Sequence, residues 1–282
     1  RVIVWSDQVT GYAGTISARG AGENGNGGFV EVSGKETLLF RGKADVRGSG
    51  GGKDGVILLD PQDITIVAVG ADDGLIGDNI LDSSDDPGLA APPDATISAA
   101  TLNGLSGNVT LQATRDIIVD AALNLSLQGA TDVLFFDAGR DVTINQSVQT
   151  PGILRLNAGG AVTQGAAITV SGLLLEGAAT FTLTNTSNVV GTVAANLSGA
   201  GSMNLVTSGT LAVGTVGATS GITTAGGSVQ ITSDAALAIS EAISTSGGNI
   251  GARSVTLGIG ITNSLNAGVG IIALESNGNI IQ

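Results

Sequence analysis

The sequence predicts an all-β chain wound as a parallel β-helix, a solenoid of about 23 residues per coil with loop excursions at its corners. Three observations carry that expectation. Short stretches alternate apolar and polar residues, as in Phe29-Val30-Glu31-Val32, where Val30 and Val32 share one face of a strand. Glycine-rich corners such as Gly48-Ser-Gly-Gly-Gly-Lys53 separate these stretches again and again. The chain also repeats itself.

Composition supports strands over helices. Of 282 residues, 42% are hydrophobic and only 12% are charged, so Ser, Thr, Asn, Gln and 45 glycines must cover the surface. Aromatics are 2%, too few for a core built around large rings, and the apolar residues are mostly Val, Ile, Leu and Ala. No apolar run reaches the roughly 18 residues a membrane helix needs. The net charge of −13 opposes binding to nucleic acid or to anionic membranes. With no cysteine and no histidine, thiol chemistry, disulfides and the commonest acid–base and zinc ligand are all missing.

The repeat emerges when the chain is aligned with itself. Val109-Thr-Leu111 followed by Arg115-Asp116-Ile117 is echoed by Leu134-Phe-Phe136 followed by Arg140-Asp141-Val142, and again by Leu154-Arg-Leu156. Further anchors at Leu175, Leu205, Ile231, Leu257 and Leu274 extend the series. A propeller blade needs about 40 residues and an aromatic signature, and a leucine-rich repeat needs a helical segment; neither is present. In stacked coils each strand pairs with those above and below at about 4.8 Å, so no coil has to bury a core alone. Val109, Leu111, Leu134, Phe136, Leu154 and Leu156 are therefore expected to point inward. Residues 1–282 read as one continuous segment, with an acidic loop inserted at 70–97. Both ends, Arg1-Val-Ile-Val-Trp5 and Gly278-Asn-Ile-Ile-Gln282, are strand-like and read as cut from something longer. Their open edges are expected to favour self-association.

Val4-Trp5-Ser6-Asp7, Gly14-Thr-Ile-Ser-Ala-Arg19-Gly20, Gly27-Gly-Phe-Val-Glu-Val-Ser-Gly34-Lys35 and Leu58-Leu59-Asp60-Pro61-Gln-Asp63-Ile64 occur in this order. Ile97-Ser-Ala-Ala-Thr101-Leu102 and Leu105-Ser-Gly107-Asn108-Val109 follow. Together they resemble the large filamentous-haemagglutinin-like exoproteins of Gram-negative bacteria, adhesins of the two-partner secretion type. The resemblance covers roughly residues 1–145; beyond that only the repeat style is similar. It implies a right-handed parallel β-helix, here an interior stretch of shaft, secreted to the cell surface and serving adhesion, aggregation or biofilm. It also implies an outer-membrane transporter as a partner during export. A glycan or cell-surface receptor is a further candidate partner.

The opposing reading is a carbohydrate-active β-helix enzyme, a polysaccharide lyase or hydrolase. Such an enzyme needs carboxylates at controlled separation on one face, which Asp60, Asp63, Asp116, Asp120, Asp137 and Asp141 could supply. Asp116 and Asp141, however, each follow an Arg at equivalent places in the repeat, which points to turn chemistry and pairing. No catalytic residue and no cofactor-binding residue is assigned, and the chain is not expected to be an enzyme. Asp72, Asp73, Asp78, Asp82, Asp85 and Asp86 are the candidate metal ligands, because an oxygen-rich loop can hold calcium. Neither the EF-hand pattern nor the calcium-binding β-roll repeat is present, so a solvated acidic loop is the preferred account. The glycine-rich stretch before Lys53 lacks the Ser or Thr of a phosphate loop and is read as a corner. Trp5 and Tyr12 could stack on a sugar, with closure of one edge of the core the preferred role for Trp5.

Overall fold

The computed structural model describes residues 1–68, 95–126 and 128–282. They form an all-β protein of long parallel sheets, divided into two compact units, Arg1–Gly139 and Arg140–Gln282. The candidate metal ligands Asp72, Asp73, Asp78, Asp82, Asp85 and Asp86 lie outside the described residues, as does most of the 70–97 loop. Its last residues, 95–97, open the strand Ala95–Ser98.

In the first unit, Val2–Ser6, Phe29–Gly34, Val56–Asp60, Asn108–Ala113 and Val133–Ala138 pair side by side, all parallel. Their alternation places Val30, Val32, Ile57, Leu59, Val109, Leu111, Leu134 and Phe136 in the core with essentially no exposure. Each such side chain contributes roughly 1.5–3 kcal/mol by leaving water. Intervening residues such as Glu31, Asp60, Thr110, Gln112 and Asp137 face away and are partly exposed. Trp5 belongs to this outer set: Val2 and Val4 turn toward the core, while Trp5 is 54% exposed. It does not close the core edge, because its strand's inward positions are the even ones. Tyr12 stacks on Phe40 instead, with ring centroids 6.1 Å apart.

A second ladder of this unit holds an extra strand. Ile64–Val67 pairs with Ile117–Val119 on one edge and with Ala95–Ser98 on the other, both parallel. The returning chain thus adds a strand next to the one it left. A single helical turn, Ala99–Asn103, follows at once. Ser98 caps it, its Oγ accepting from Thr101 N at 3.2 Å, and Ala99 and Leu102 face the core. The sequence shows no such helix because five residues are too few to display a 3.6 period.

The second unit contains two ladders. In one, Val148–Ala158, Ile168–Gly177 and Val189–Leu197 pair in parallel. The last of these then splits its pairing between Leu211–Val213 and Ile222–Thr224. In the other, Val142–Ile144, Ala161–Gln164, Thr180–Leu183, Ser202–Thr207, Val229–Ser233, Ile250–Ser254 and Ile272–Ser276 follow one another, again all parallel. A small antiparallel hairpin, Thr215–Val216 with Thr219–Ser220, interrupts the pattern. Its Val216 covers Leu174 and Ala194 on the outer side of the first ladder.

This register corrects the alignment of the repeat. Leu156 and Leu175 do stand opposite one another, but Leu205, Ile231 and Leu274 belong to the other ladder. Leu257 sits in a turn and is 54% exposed. Alternation looks the same on either ladder, so a slip from one to the other leaves no local trace.

The corners explain the glycine content. Gly201, Gly227, Gly248 and Gly270 stack in one column. A Cβ on Gly227 would stand 1.8 Å from the Gly201 carbonyl oxygen, and one on Gly248 would stand 2.2 Å from that of Gly227. No larger residue fits without moving backbone. Buried hydroxyls satisfy corner carbonyls in the same periodic way: Ser233 Oγ donates to Gly209 O at 2.6 Å and Ser254 Oγ to Ala235 O at 2.7 Å.

Candidate functional site

The carboxylates of the described residues include three groups with different chemistry, two of which hold acids highlighted by the sequence. The first group sits at corners. Asp63 is buried, and its Oδ2 accepts from Arg115 Nε at 2.8 Å and from Arg115 Nη2. Its Oδ1 accepts the backbone N–H of Asp116 at 3.1 Å, one strand along the ladder. In the second unit Asp141 Oδ1 likewise accepts the N–H of Ala161, at 2.7 Å, with Arg140 Nε 3.5 Å from Oδ2. A carboxylate placed just before a strand thus satisfies the first N–H of its neighbour. These groups hold corners together.

The second group lies on the outer face of the first unit's long ladder. Glu31 accepts from Ser33 Oγ at 3.2 Å, and Gln112 Nε2 donates to Asp137 Oδ2 at 3.0 Å. Asp60, beside them, is pushed up from the ordinary carboxylate range, first by burial and then by the charges of Glu31 and Asp137. The three acids lie on different strands, and the amide and hydroxyl bonds tie Asp137 and Glu31 to the sheet.

The third group is absent from the sequence expectation. Lys53, Asp54, Asn108, Thr131 and Asp132, with Gly51, Gly52 and Gly129, line a cleft of about 580 Å³. Asp54 Oδ1 accepts the N–H of Gly48 at 2.6 Å, and Asp132 Oδ2 accepts that of Gly129 at 2.7 Å. Asn108 fixes the floor: its Nδ2 donates to the carbonyls of Asp54 and Gly55, and its Oδ1 accepts from Val133 N. Asp132 is 5% exposed. Its carboxyl is held above the ordinary range by burial, and then by the nearby charge of Asp54. One hint is legible in the sequence, Asp132 directly before a strand of the repeat, but Asp54 and Asp132 are far apart along the chain.

A further acid, Asp45, is the counterpoint. Arg47 grips it through Nε at 2.9 Å and Nη2 at 2.6 Å, with Arg19 Nε at 3.7 Å and Ser106 Oγ at 3.2 Å. The Arg47 hydrogen bonds hold its carboxyl down to about 2. A lowered folded pKa gives stability that is present above the ordinary value near 3.8 and is lost as pH falls toward 2. Partial exposure of the pair limits this to about 1 kcal/mol. The expected result is that Asp45→Asn flattens the acid limb of the stability curve between pH 4 and 2. Urea titrations at each pH measure it, and parallel curves for the two proteins would refute the assignment.

Among the described residues no group of three His, Cys, Asp or Glu side chains is arranged to hold a metal ion. A search of protein-family models returned no match to this chain, and searches of curated proteins and of solved structures likewise returned none.

Proposed function

We propose that this chain is a stretch of right-handed parallel β-helix shaft, about 23 residues per coil, from a large secreted surface protein of a Gram-negative bacterium. Its role on this reading is structural and adhesive, in attachment, aggregation or biofilm. One observation carries the reading: in each unit parallel strands follow one another, and their side chains repeat a corner or ladder role. The glycine column and the serial Asp-to-amide bonds are devices for stacking one coil on the next. The filamentous-haemagglutinin-like motifs of residues 1–145 supply the adhesin and two-partner secretion part of the proposal, with the transporter partner that part entails.

The cleft at Asp54 and Asp132 is what favours the alternative, a carbohydrate-active enzyme. A paired measurement separates the two. Beads coated with the purified chain should adhere to cells or to one another above the level of bare beads, and no polysaccharide in a panel should be shortened. Polysaccharide cleavage that disappears in Asp132→Asn would overturn the shaft reading in favour of the enzyme.

A further inference from the structure

The outer face of the first unit's long ladder is apolar and acidic at once. Its register sets Trp5, Ser33 and Asp60 side by side in one outward row. Gln112 comes next, because Leu111 stands opposite Leu59, and Asp137 stands opposite Gln112. The neighbouring row runs Ile3, Glu31, Leu58, Thr110 and Phe135. Ile3 is 48% exposed and Trp5 is 54% exposed, while Leu58 and Phe135 are partly exposed. Alternation fixes these directions, since Val30, Val32, Ile57 and Leu59 take the core side. Single exposed apolar side chains need no explanation, but several gathered on one face mark a contact surface.

We propose that this face binds a cationic polysaccharide, a chain of amino sugars laid across the strands with one sugar on Trp5 and its ammonium groups toward Glu31, Asp60 and Asp137. The proposal gives the adhesive reading above a ligand class and rests on that reading. Three features support it. Trp5 offers a flat apolar surface to the C–H side of a sugar ring, and the same ring face attracts a cation. Phe29, in the row beyond Glu31, already holds a cation in this way, with the Arg1 guanidinium 5.3 Å from its ring centre. The charge of the row also fits. Burial pushes the Asp60 carboxyl up, and the charges of Glu31 and Asp137 push it further, so a cation placed there relieves all three acids.

Spacing distinguishes a sugar chain from a basic peptide. Successive side chains of a row are about 4.8 Å apart, the separation of neighbouring strands. That is close to the advance per sugar in an extended β-linked polymer, so successive sugars meet successive side chains. An extended peptide presents like-facing side chains only every ~6.6 Å and falls out of step with the row. Thr110 and the Gln112 amide, which donates to Asp137 Oδ2 at 3.0 Å, supply neutral partners for sugar hydroxyls.

Titration calorimetry on the whole chain tests this with defined probes. A β-linked glucosamine hexasaccharide should bind saturably. Its fully N-acetylated counterpart, which has lost the ammonium groups, and a lysine hexapeptide should each bind roughly tenfold more weakly. Trp5→Ala should weaken the hexasaccharide about fivefold with an unchanged melting curve, because Trp5 faces outward. The absence of saturable hexasaccharide binding overturns the proposal, and that measurement needs no variant. Equal binding of the lysine peptide overturns it in favour of a surface that takes any polycation. An affinity unchanged in Trp5→Ala removes the ligand from this face. Coated beads that fail to adhere while the hexasaccharide still binds would overturn the adhesive reading and keep the site. Adhesion without hexasaccharide binding would do the reverse.

Discussion

Leu156→Asp is expected to unfold the second unit at ambient temperature, or to lower its melting point by tens of degrees. Leu156 is fully buried, opposite Leu175 in the same ladder, with the pair Leu154 and Leu173 two residues before it. Removing its side chain forfeits roughly 1.5–3 kcal/mol of burial. Placing a carboxylate there adds several kcal/mol more, because its neighbours Leu175, Leu154 and Leu173 are buried and apolar and offer no charge to pair with it. The total is comparable with the whole stability of a typical domain, about 5–15 kcal/mol. Leu257→Asp is the control. Leu257 also counts as an anchor of the repeat by sequence, yet it is 54% exposed, so this variant should change stability by less than about 0.5 kcal/mol. Thermal melts followed by circular dichroism would decide. Equal losses in the two variants would show that the register is wrong.

That contrast marks how far the fold is legible without coordinates. Val109, Leu111, Leu134, Phe136, Leu154 and Leu156 are all fully buried, as their alignment in the repeat predicts. Alternation is a local signal with period two, and it suffices to choose the inward face of one strand. It does not say which ladder a strand joins, and so Leu205, Ile231 and Leu274, which alternate like Leu156, belong to the other ladder. Trp5 shows the same limit. Its size suggests the core, while its place between Val4 and Ser6 on an alternating strand puts it outside.

The candidate site divides along the same line. Asp141, which repeats the place of Asp116 beside an Arg, accepts a corner N–H as such repetition implies, whereas at the Arg115–Asp116 corner the accepting carboxylate is Asp63, which no repetition marks. Asp54 and Asp132 share no spacing or motif. They meet because strands far apart in sequence lie near one another in the ladder, and no local pattern encodes that. Their perturbation is a tertiary property, as is the raised Asp60, which needs Glu31 and Asp137 from other strands.

Asn188→Ala is expected to cost about 3–5 kcal/mol. Asn188 has no exposed surface. Its Oδ1 accepts from Ile168 N at 2.9 Å and from Gln164 Nε2. Its Nδ2 donates to Gln164 Oε1 at 3.1 Å, to Leu183 O at 3.3 Å and to Val206 O at 3.0 Å. One amide thus joins Ala161–Gln164, Thr180–Leu183 and Ser202–Thr207 of one ladder to Ile168–Gly177 of the other. Truncation strips partners from several buried groups together, and each orphan costs about 1–3 kcal/mol unless water enters. A water that fills the gap recovers part of this, which keeps the sum below simple addition. Asn188→Asp keeps the shape but turns acceptors toward the Leu183 and Val206 carbonyls, so it should be at least as harmful. Asn185→Ala provides the comparison. Asn185 also bonds backbone, to Gly165 O and from Ser187 N, but it does so in contact with solvent and should lose less than about 1 kcal/mol. Urea denaturation of the three variants gives the ranking. A loss for Asn188→Ala no larger than that for Asn185→Ala would mean that the buried network is not what joins the two ladders.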